Sequence, residues 1–165
     1  WKGVSPEGTI AAHDIPAKPL DPYSYYNGDF IALEKAHLNK GWKLVDNWHP
    51  DNKAGKRNGF VDVPMLEATR PGDRLTLDFQ GKAIGIFCVS GPSAGILEYS
   101  VDGAPFKELD TFTEWSHNLY IPWVYMLETE LKDMDHKLVL RISKKKNPAS
   151  QGTECQIRNF VVNGR

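Results

Sequence analysis

The run "RLTLDFQGKAIGIFCVSGPSAGILEYSVDG", residues 74–103, decides the fold. Its first six residues alternate: Leu75, Leu77 and Phe79 point one way, and Arg74, Thr76 and Asp78 the other. That period of two is the mark of a half-buried strand. "AIGIFCV", residues 83–89, is apolar almost throughout, so it reads as a central strand covered on both faces. "ILEYSV", residues 96–101, alternates again, with Leu97, Tyr99 and Val101 inward. Asp102-Gly103 then supplies a tight hairpin turn, because both positions must tolerate positive φ.

Between the second and third strands stands "GPSAG", residues 91–95, which fits the Gly-x-Ser-x-Gly nucleophile elbow of serine esterases. An elbow needs a strand before it and a helix after it. The strand is present, but the segment after Ser93 has a period of two. Asp102, Asp110, His117 and His136 come later in the Ser–Asp–His order of a hydrolase, as a chain of this size offers by chance. The reading is therefore a β-turn, with the glycines there for backbone angles. A serine hydrolase built on Ser93 is the outlying alternative.

Outward from this run the same pattern continues. "PFKEL" is the return strand of the hairpin, "KLVLRI" places Leu138, Leu140 and Ile142 on one face, and "CQIRNFVV" is the last strand. "DFIALEKA", "GWKLVDNW" and "GFVDVPML" supply shorter extended pieces. Turn signals recur at short intervals: "NKG", "RPGD", "FQGK", "VDGAP". Many short strands with such punctuation predict an all-β antiparallel sandwich or barrel. Strands are expected at 74–79, 83–89, 96–101, 106–109, 137–142 and 156–162. The expected core holds Leu77, Phe79, Ile86, Tyr99, Val101, Leu138, Leu140 and Phe160. Only "WVYMLETELKDMD" offers a helix, of one or two turns at most.

Residues 1–29 differ. "SPEG", "DIPAKPLDP" and "YYNGD" are rich in Pro, Gly and Asp, and Pro resists helix. This segment reads as a linker or extended arm pinned along the domain by Tyr23, Tyr25 and Tyr26, with residues 30–165 forming the sandwich. The chain starts at Trp1, which suggests a piece of a longer protein.

The 165 residues are enough for one domain with its own core. The formal net charge of −1 gives no broad attraction to nucleic acid or to an anionic membrane. "SKKKNP", the one basic cluster, reads as a solvated loop end. No apolar run approaches the ~20 residues of a membrane span. Cys88 and Cys155 have no metal spacing; two separate thiols are expected, a disulfide being the alternative. Asp46, His49 and Asp51 are a poor metal set, since calcium wants six or more oxygens and zinc prefers His and Cys. No metal and no cofactor are expected.

The surface candidate is "TEWSHNLYIPWVY", residues 113–125. Aromatic rings on loops stack against sugar faces while a His or an acid fixes hydroxyls. Trp115, His117, Glu114 and Tyr120, with Trp48 from the polar loop "DNWHPDNKAGKRNG", are the expected ligand-binding residues. Trp115 should be exposed and Trp123 should lie deeper, as packing.

Taken together, "KPLDPYSYYNGDFI", "GWKL" with "NW", "RNGFVDVPML", "GIFCVSGPSAGILEYSVDGAPFKELDTFTEWS", "LYIPWVYML", "HKLVLRISKKKNPASQG" and "CQIRNFVVNG" resemble the β-sandwich domain appended to bacterial SGNH/GDSL-type hydrolases. The resemblance runs from about Pro19 to Asn163. It implies a jelly-roll-like, galactose-binding-like sandwich acting as the non-catalytic accessory domain of an exported carbohydrate esterase, periplasmic or extracellular. It also implies a partner, the hydrolase domain, and a possible glycan ligand; a stand-alone carbohydrate-binding module is the alternative. No catalytic residue carries over. The Gly-Asp-Ser block of the hydrolase half is missing, and "AAHDIPAKP" has His13 and Asp14 in the reverse order of the Asp-x-x-His block. Residues 1–20 would be the connector to the hydrolase.

Overall fold

The computed structural model describes residues 14–164; the first part of the arm, with His13, lies outside the described residues. Eleven strands form two antiparallel sheets packed face to face. They are β1 (Gly28–Ile31), β2 (His37–Lys40), β3 (Lys43–Trp48), β4 (Val63–Ala68), β5 (Arg74–Gly81), β6 (Ala83–Ser90), β7 (Ile96–Val101), β8 (Lys107–Asp110), β9 (Ile121–Glu128), β10 (Met134–Ile142) and β11 (Cys155–Asn163). The first sheet runs β3-β4-β11-β6-β9, with β1 also paired to β11. The second runs β2-β5-β10-β7-β8. The expected sandwich is the observed one.

The alternation read in the sequence is what joins the sheets. Leu75, Leu77 and Phe79 from β5, Leu97 from β7, and Leu138, Leu140 and Ile142 from β10 meet Leu66, Ile84, Ile86, Ile157 and Phe160 from the other sheet. All are buried, and Phe160 is fully so. Tyr99 sits half-buried at the margin of this core. β11 is the organising strand: it pairs with β6 along one side, and with both β1 and β4 along the other.

β6 is covered twice, as its unbroken apolar run requires. Ile84, Ile86 and Cys88 enter the inter-sheet core. Val89 joins a second cluster with Trp48, Met65 and Tyr120 on the outer face of the sheet.

Four expectations need correcting. "WVYMLE" is strand β9, not helix. It lacks an N-cap before its apolar residues, and its side chains follow a period of two: Tyr125 and Leu127 face the core, while Val124 and Met126 are exposed. Trp123 is 47% exposed because β9 is an edge strand, so it is not the deep packing residue expected. The arm is not pinned by its tyrosines, all three of which are exposed or nearly half so. Asn163 holds it instead: its Nδ2 donates to the Ser24 carbonyl at 3.1 Å, and its Oδ1 accepts the Asn27 N–H at 3.2 Å. Finally, Gly91 and Gly95 are not needed for backbone angles, since neither has positive φ. A Cβ on Gly91 would meet the Tyr120 ring at 2.1 Å, and one on Gly95 the Thr153 backbone at 2.6 Å. Both glycines permit close approach.

The Asp102-Gly103 turn has the expected positive φ at both residues (53° and 77°). It also carries a clamp. The Asp102 carboxylate accepts the Lys137 N–H at 2.8 Å and lies 2.6 Å from Nδ1 of the buried His136. Nε2 of His136 lies 2.8 Å from the Lys132 carbonyl oxygen. Carboxylate and carbonyl both only accept, so both ring nitrogens donate and the ring is an imidazolium. Burial pulls the His136 pKa down, but the bonds to Lys132 and Asp102 outweigh it and the pKa is raised. That of Asp102 is lowered, chiefly by its bond to His136.

Phe160→Ala should destabilise the domain by about 3–5 kcal/mol in urea titrations; a loss under about 1 kcal/mol would contradict its place in the core. The His136 contribution is complete below its unfolded pKa of about 6.5 and is lost as pH rises through the raised folded value. The Asp102 contribution is complete above about 4 and lost as pH falls through its depressed folded value. Asp102→Asn keeps a residue that tolerates positive φ and removes the charge. The melting-temperature gap between wild type and Asp102→Asn should be wider near pH ~5.5 than near pH ~8.5. A gap that does not change with pH would rule out the charged pair.

Candidate functional site

The five candidate ligand residues all lie at one end of the sandwich, where β3, β6 and β9 meet their loops, but they separate into two groups. Trp48 and Tyr120 are buried and touch edge to face, with ring centroids 5.4 Å apart. Glu114, Trp115 and His117 sit on a single 3-10 turn, residues 114–117, facing solvent. Ser116, fully buried, anchors that turn: its Oγ accepts the Thr113 N–H at 3.1 Å. With Ser116 turned inward, Trp115 stands 60% exposed. The His117 ring packs edge-on against Phe112. The loop 49–62 joins the two groups. Gly55 N–H donates to the Asn118 carbonyl at 2.7 Å, and Tyr120 N–H to the Gly55 carbonyl at 2.8 Å.

Beside the buried pair lies a cavity of about 350 Å³. Trp48, Glu67, Tyr120, Glu154 and Gln156 line it, with His49, Pro50, Asp51, Asn52 and Ser93. Its wall is a chain of polar contacts. Trp48 Nε1 donates to Glu67 Oε1 at 3.1 Å, and Lys43 Nζ sits 2.8 Å from Glu67 Oε2. Gln156 Nε2 reaches Glu67 Oε1 at 3.5 Å and Glu154 Oε2 at 3.3 Å. Asn52 Nδ2 donates to the Tyr120 hydroxyl at 2.7 Å.

The two glutamates differ electrostatically. Burial pushes Glu67 upward, but its bonds to Lys43, Trp48 and Gln156 prevail and hold its pKa below the usual carboxylate range. Burial also pushes Glu154 upward; the Gln156 bond opposes this, the Glu67 charge adds to it, and the pKa stays raised.

Glu67, Asn52, Glu154 and Gln156 were not among the candidates read from the sequence. They come from three separate stretches of the chain, at residues 52, 67 and 154–156, so no single local motif marks them. The one available signal is a polar residue interrupting apolar strands: Glu67 in "VPMLEA" and Gln156 in "CQIRNFVV".

"GPSAG" has a place in this site as a scaffold. The Ala94 N–H donates to the Gly91 carbonyl at 3.0 Å, which closes a β-turn, and strand β7 comes next. Ser93 has no positive φ. Among the described residues, no hydrogen bond joins its hydroxyl to a histidine. The Asp102–His136 pair sits at the other end of β7, about 20 Å away at ~3.3 Å per residue. The turn's backbone instead fixes Glu154: Glu154 N–H donates to the Ser93 carbonyl, and Gly95 N–H to the Glu154 carbonyl, each at 2.8 Å. Cys88 and Cys155 are buried and unbridged, and burial pushes the Cys88 thiol up to about 12. Among the described residues, no group of three or more His, Cys, Asp or Glu side chains is placed to hold a metal, and no helix is long and apolar enough to cross a membrane.

The fold is an all-β, jelly-roll-like antiparallel sandwich. No family model matches the sequence, and no curated protein matches it. Solved structures do share the fold. A two-domain esterase active on acetylated mannans, co-crystallised with mannopentaose, superposes with a TM-score of 0.66 at 19% identity, over 93% of this chain and 40% of that one. A second structure of a two-domain esterase active on acetylated mannans gives 0.59 at 17%, over 95% and 41%. An exo-β-1,3-galactanase from Phanerochaete chrysosporium, with galactose, gives 0.54 at 10%, over 84% and 30%. The chain thus spans well under half the length of the structures it matches. At these identities the likeness is one of fold.

Given the place of Ser93, the 165-residue chain should not hydrolyse p-nitrophenyl acetate above the buffer rate, and Ser93→Ala should not differ. Turnover by the wild type that disappears in a folded Ser93→Ala variant would overturn the scaffold role.

Proposed function

We propose that this chain is the glycan-binding accessory domain of an exported SGNH-type carbohydrate esterase, with residues 1–29 as its connecting arm. The observation that carries the reading is the loop end itself. It presents an exposed tryptophan, Trp115, and, separately, a polar cavity whose wall includes a second tryptophan, a tyrosine, carboxylates and an amide. Apolar ring faces with a few convergent polar groups are what a sugar requires. The likeness of fold to carbohydrate-active enzymes, of which the chain covers a minor part, supports an accessory role. The sequence resemblance supports the SGNH parentage and, through it, export to the periplasm or the extracellular space.

A second reading, packing against the hydrolase, is favoured by one surface. Phe30, Val124 and Met126 are all exposed beside Tyr25 on the outer face of the first sheet, where the arm joins it. The two roles use different parts of the molecule and are compatible.

Each stacked ring would contribute about 0.5–1.5 kcal/mol beyond area burial. Binding should therefore be weak, with a Kd near the millimolar range. Calorimetry against neutral oligosaccharides, mannopentaose included, should detect it. Trp115→Ala should weaken it about three- to tenfold with an unchanged melting temperature. No binding of any oligosaccharide at about 10 mM ligand would leave packing as the better account.

A further inference from the structure

The cavity beside Trp48 has an acidic lining. Three carboxylates line it: Asp51, Glu67 and Glu154. Lys43 is engaged with Glu67 at 2.8 Å, His49 Nδ1 lies 2.9 Å from Asp62 Oδ1, and the Lys56 ammonium donates to the Asn52 carbonyl at 3.2 Å. Of the acids, Glu67 is held by Lys43, Trp48 and Gln156. Glu154 is held less fully: Oε2 accepts from Gln156, and Oε1 has no partner among the described residues. Gln156 is itself only 2% exposed, and its amide nitrogen is directed at the two glutamates. Its Oε1, on a side chain lining the cavity, accepts no hydrogen bond among the described residues. An amide oxygen open toward a cavity can accept a donor from a ligand. The open groups are thus mainly acceptors: Glu154 Oε1, Gln156 Oε1 and the Asp51 carboxylate. The volume, about 350 Å³, falls at the lower end of ligand pockets, which suits one sugar ring.

Resting on the glycan-binding reading, we propose that this cavity holds an uncharged sugar residue through its hydroxyl donors and rejects the same sugar when C6 is a carboxylate. Hydroxyl groups supply the donors that the open acceptors lack. A uronate adds a fourth negative charge among three carboxylates, and the lysine paired with them, Lys43, is already taken up by Glu67. The hydroxyls of Ser93 and Tyr120 are the donors left for it, and neutral donors do not offset that repulsion. Loss of the Glu154 charge should relax the discrimination. His49, Asp51, Glu67, Tyr120 and Glu154 face the cavity, with Lys43 paired to Glu67 and Asp62 paired to His49.

The test is a titration of the full chain, monitored by calorimetry or by amide chemical shifts. The probes are three matched pairs at up to about 10 mM: galactose and galacturonate, glucose and glucuronate, mannose and mannuronate. At least one neutral sugar should bind, with its uronate at least about tenfold weaker. In Glu154→Gln the ratio of neutral-sugar to uronate affinity should fall, whatever the change in neutral-sugar affinity itself. Asp51→Asn, at an exposed rim position, should shrink it in the same direction and guards against misfolding of the first variant. Uronates binding as well as neutral sugars, or a penalty unmoved in both folded variants, would overturn the charge inference while glycan binding stands. If no monosaccharide binds but oligosaccharides still bind through Trp115, the cavity is not a sugar site and the accessory reading survives. If neither binds, both fail.

Discussion

The rest of the structure depends on the two-sided burial of β6. A strand that reads Ala-Ile-Gly-Ile-Phe-Cys-Val cannot leave either face in water. One face meets the second sheet through Ile84, Ile86 and Cys88. The other has no third sheet to cover it, so loops must. Trp48, Met65 and Tyr120 gather over Val89, and the 49–62 loop folds back to the segment before β9 to hold them there. Side chains of mixed character, Trp48 and Tyr120 above all, now lie against an apolar floor with polar atoms that need partners. Trp48 Nε1 finds Glu67, and the Tyr120 hydroxyl finds Asn52. The cavity is what remains between those satisfied groups and the end of β11.

The same logic explains which parts of the molecule could be read in advance. Strands β5, β6, β7, β10 and β11 announce themselves because burial imposes a period of two, or none, on their side chains. β2 does not. "HLNK" is an edge strand exposed along its length, so nothing selects a pattern in its sequence. β9 misleads for a related reason: at a sheet edge, with Trp123, Val124 and Met126 all exposed, its apolar residues no longer report which face is inward. The aromatic candidates were legible as residues but not as a site. Whether Trp115 and Trp48 belong together depends on the Gly55 contacts with Asn118 and Tyr120, which lie far from it in the chain. Glu154 and Gln156 were beyond reach for the same reason. Their role rests on the turn at residues 91–95 meeting the segment at 150–156, a pairing with no local signature.

That turn shows how a motif can be matched by packing rather than chemistry. Gly-x-Ser-x-Gly places small residues on both sides of a serine, and in an elbow the glycines allow a strained turn beside a helix. Here the Tyr120 ring lies over Gly91 and the Thr153 backbone over Gly95. The buried Ser150 hydroxyl donates to the Ala94 carbonyl at 2.7 Å, which locks the two segments together. The composition is the same because the geometric demand is the same: no side chain fits. Only the next element, strand or helix, tells the two apart.

The two ends of the sandwich divide the work. At one end Asp102, His136, Lys132 and Lys137 form a closed set in which each ring nitrogen of the histidine has its acceptor. The ring stacks on Phe79 beneath it. At the other end the set stays open: Gln156 Oε1 accepts no hydrogen bond among the described residues, and Glu154 is held with its pKa raised beside a second carboxylate. The backbone there is fixed by other means, Glu154 by the paired bonds to Ser93 and Gly95. Stability is thus anchored away from the cavity and in the main chain around it. Trp48, Tyr120, Glu67 and Asn52 in the cavity wall serve the packing over β6, whereas Glu154 and Gln156 keep acceptor oxygens without a partner among the described residues.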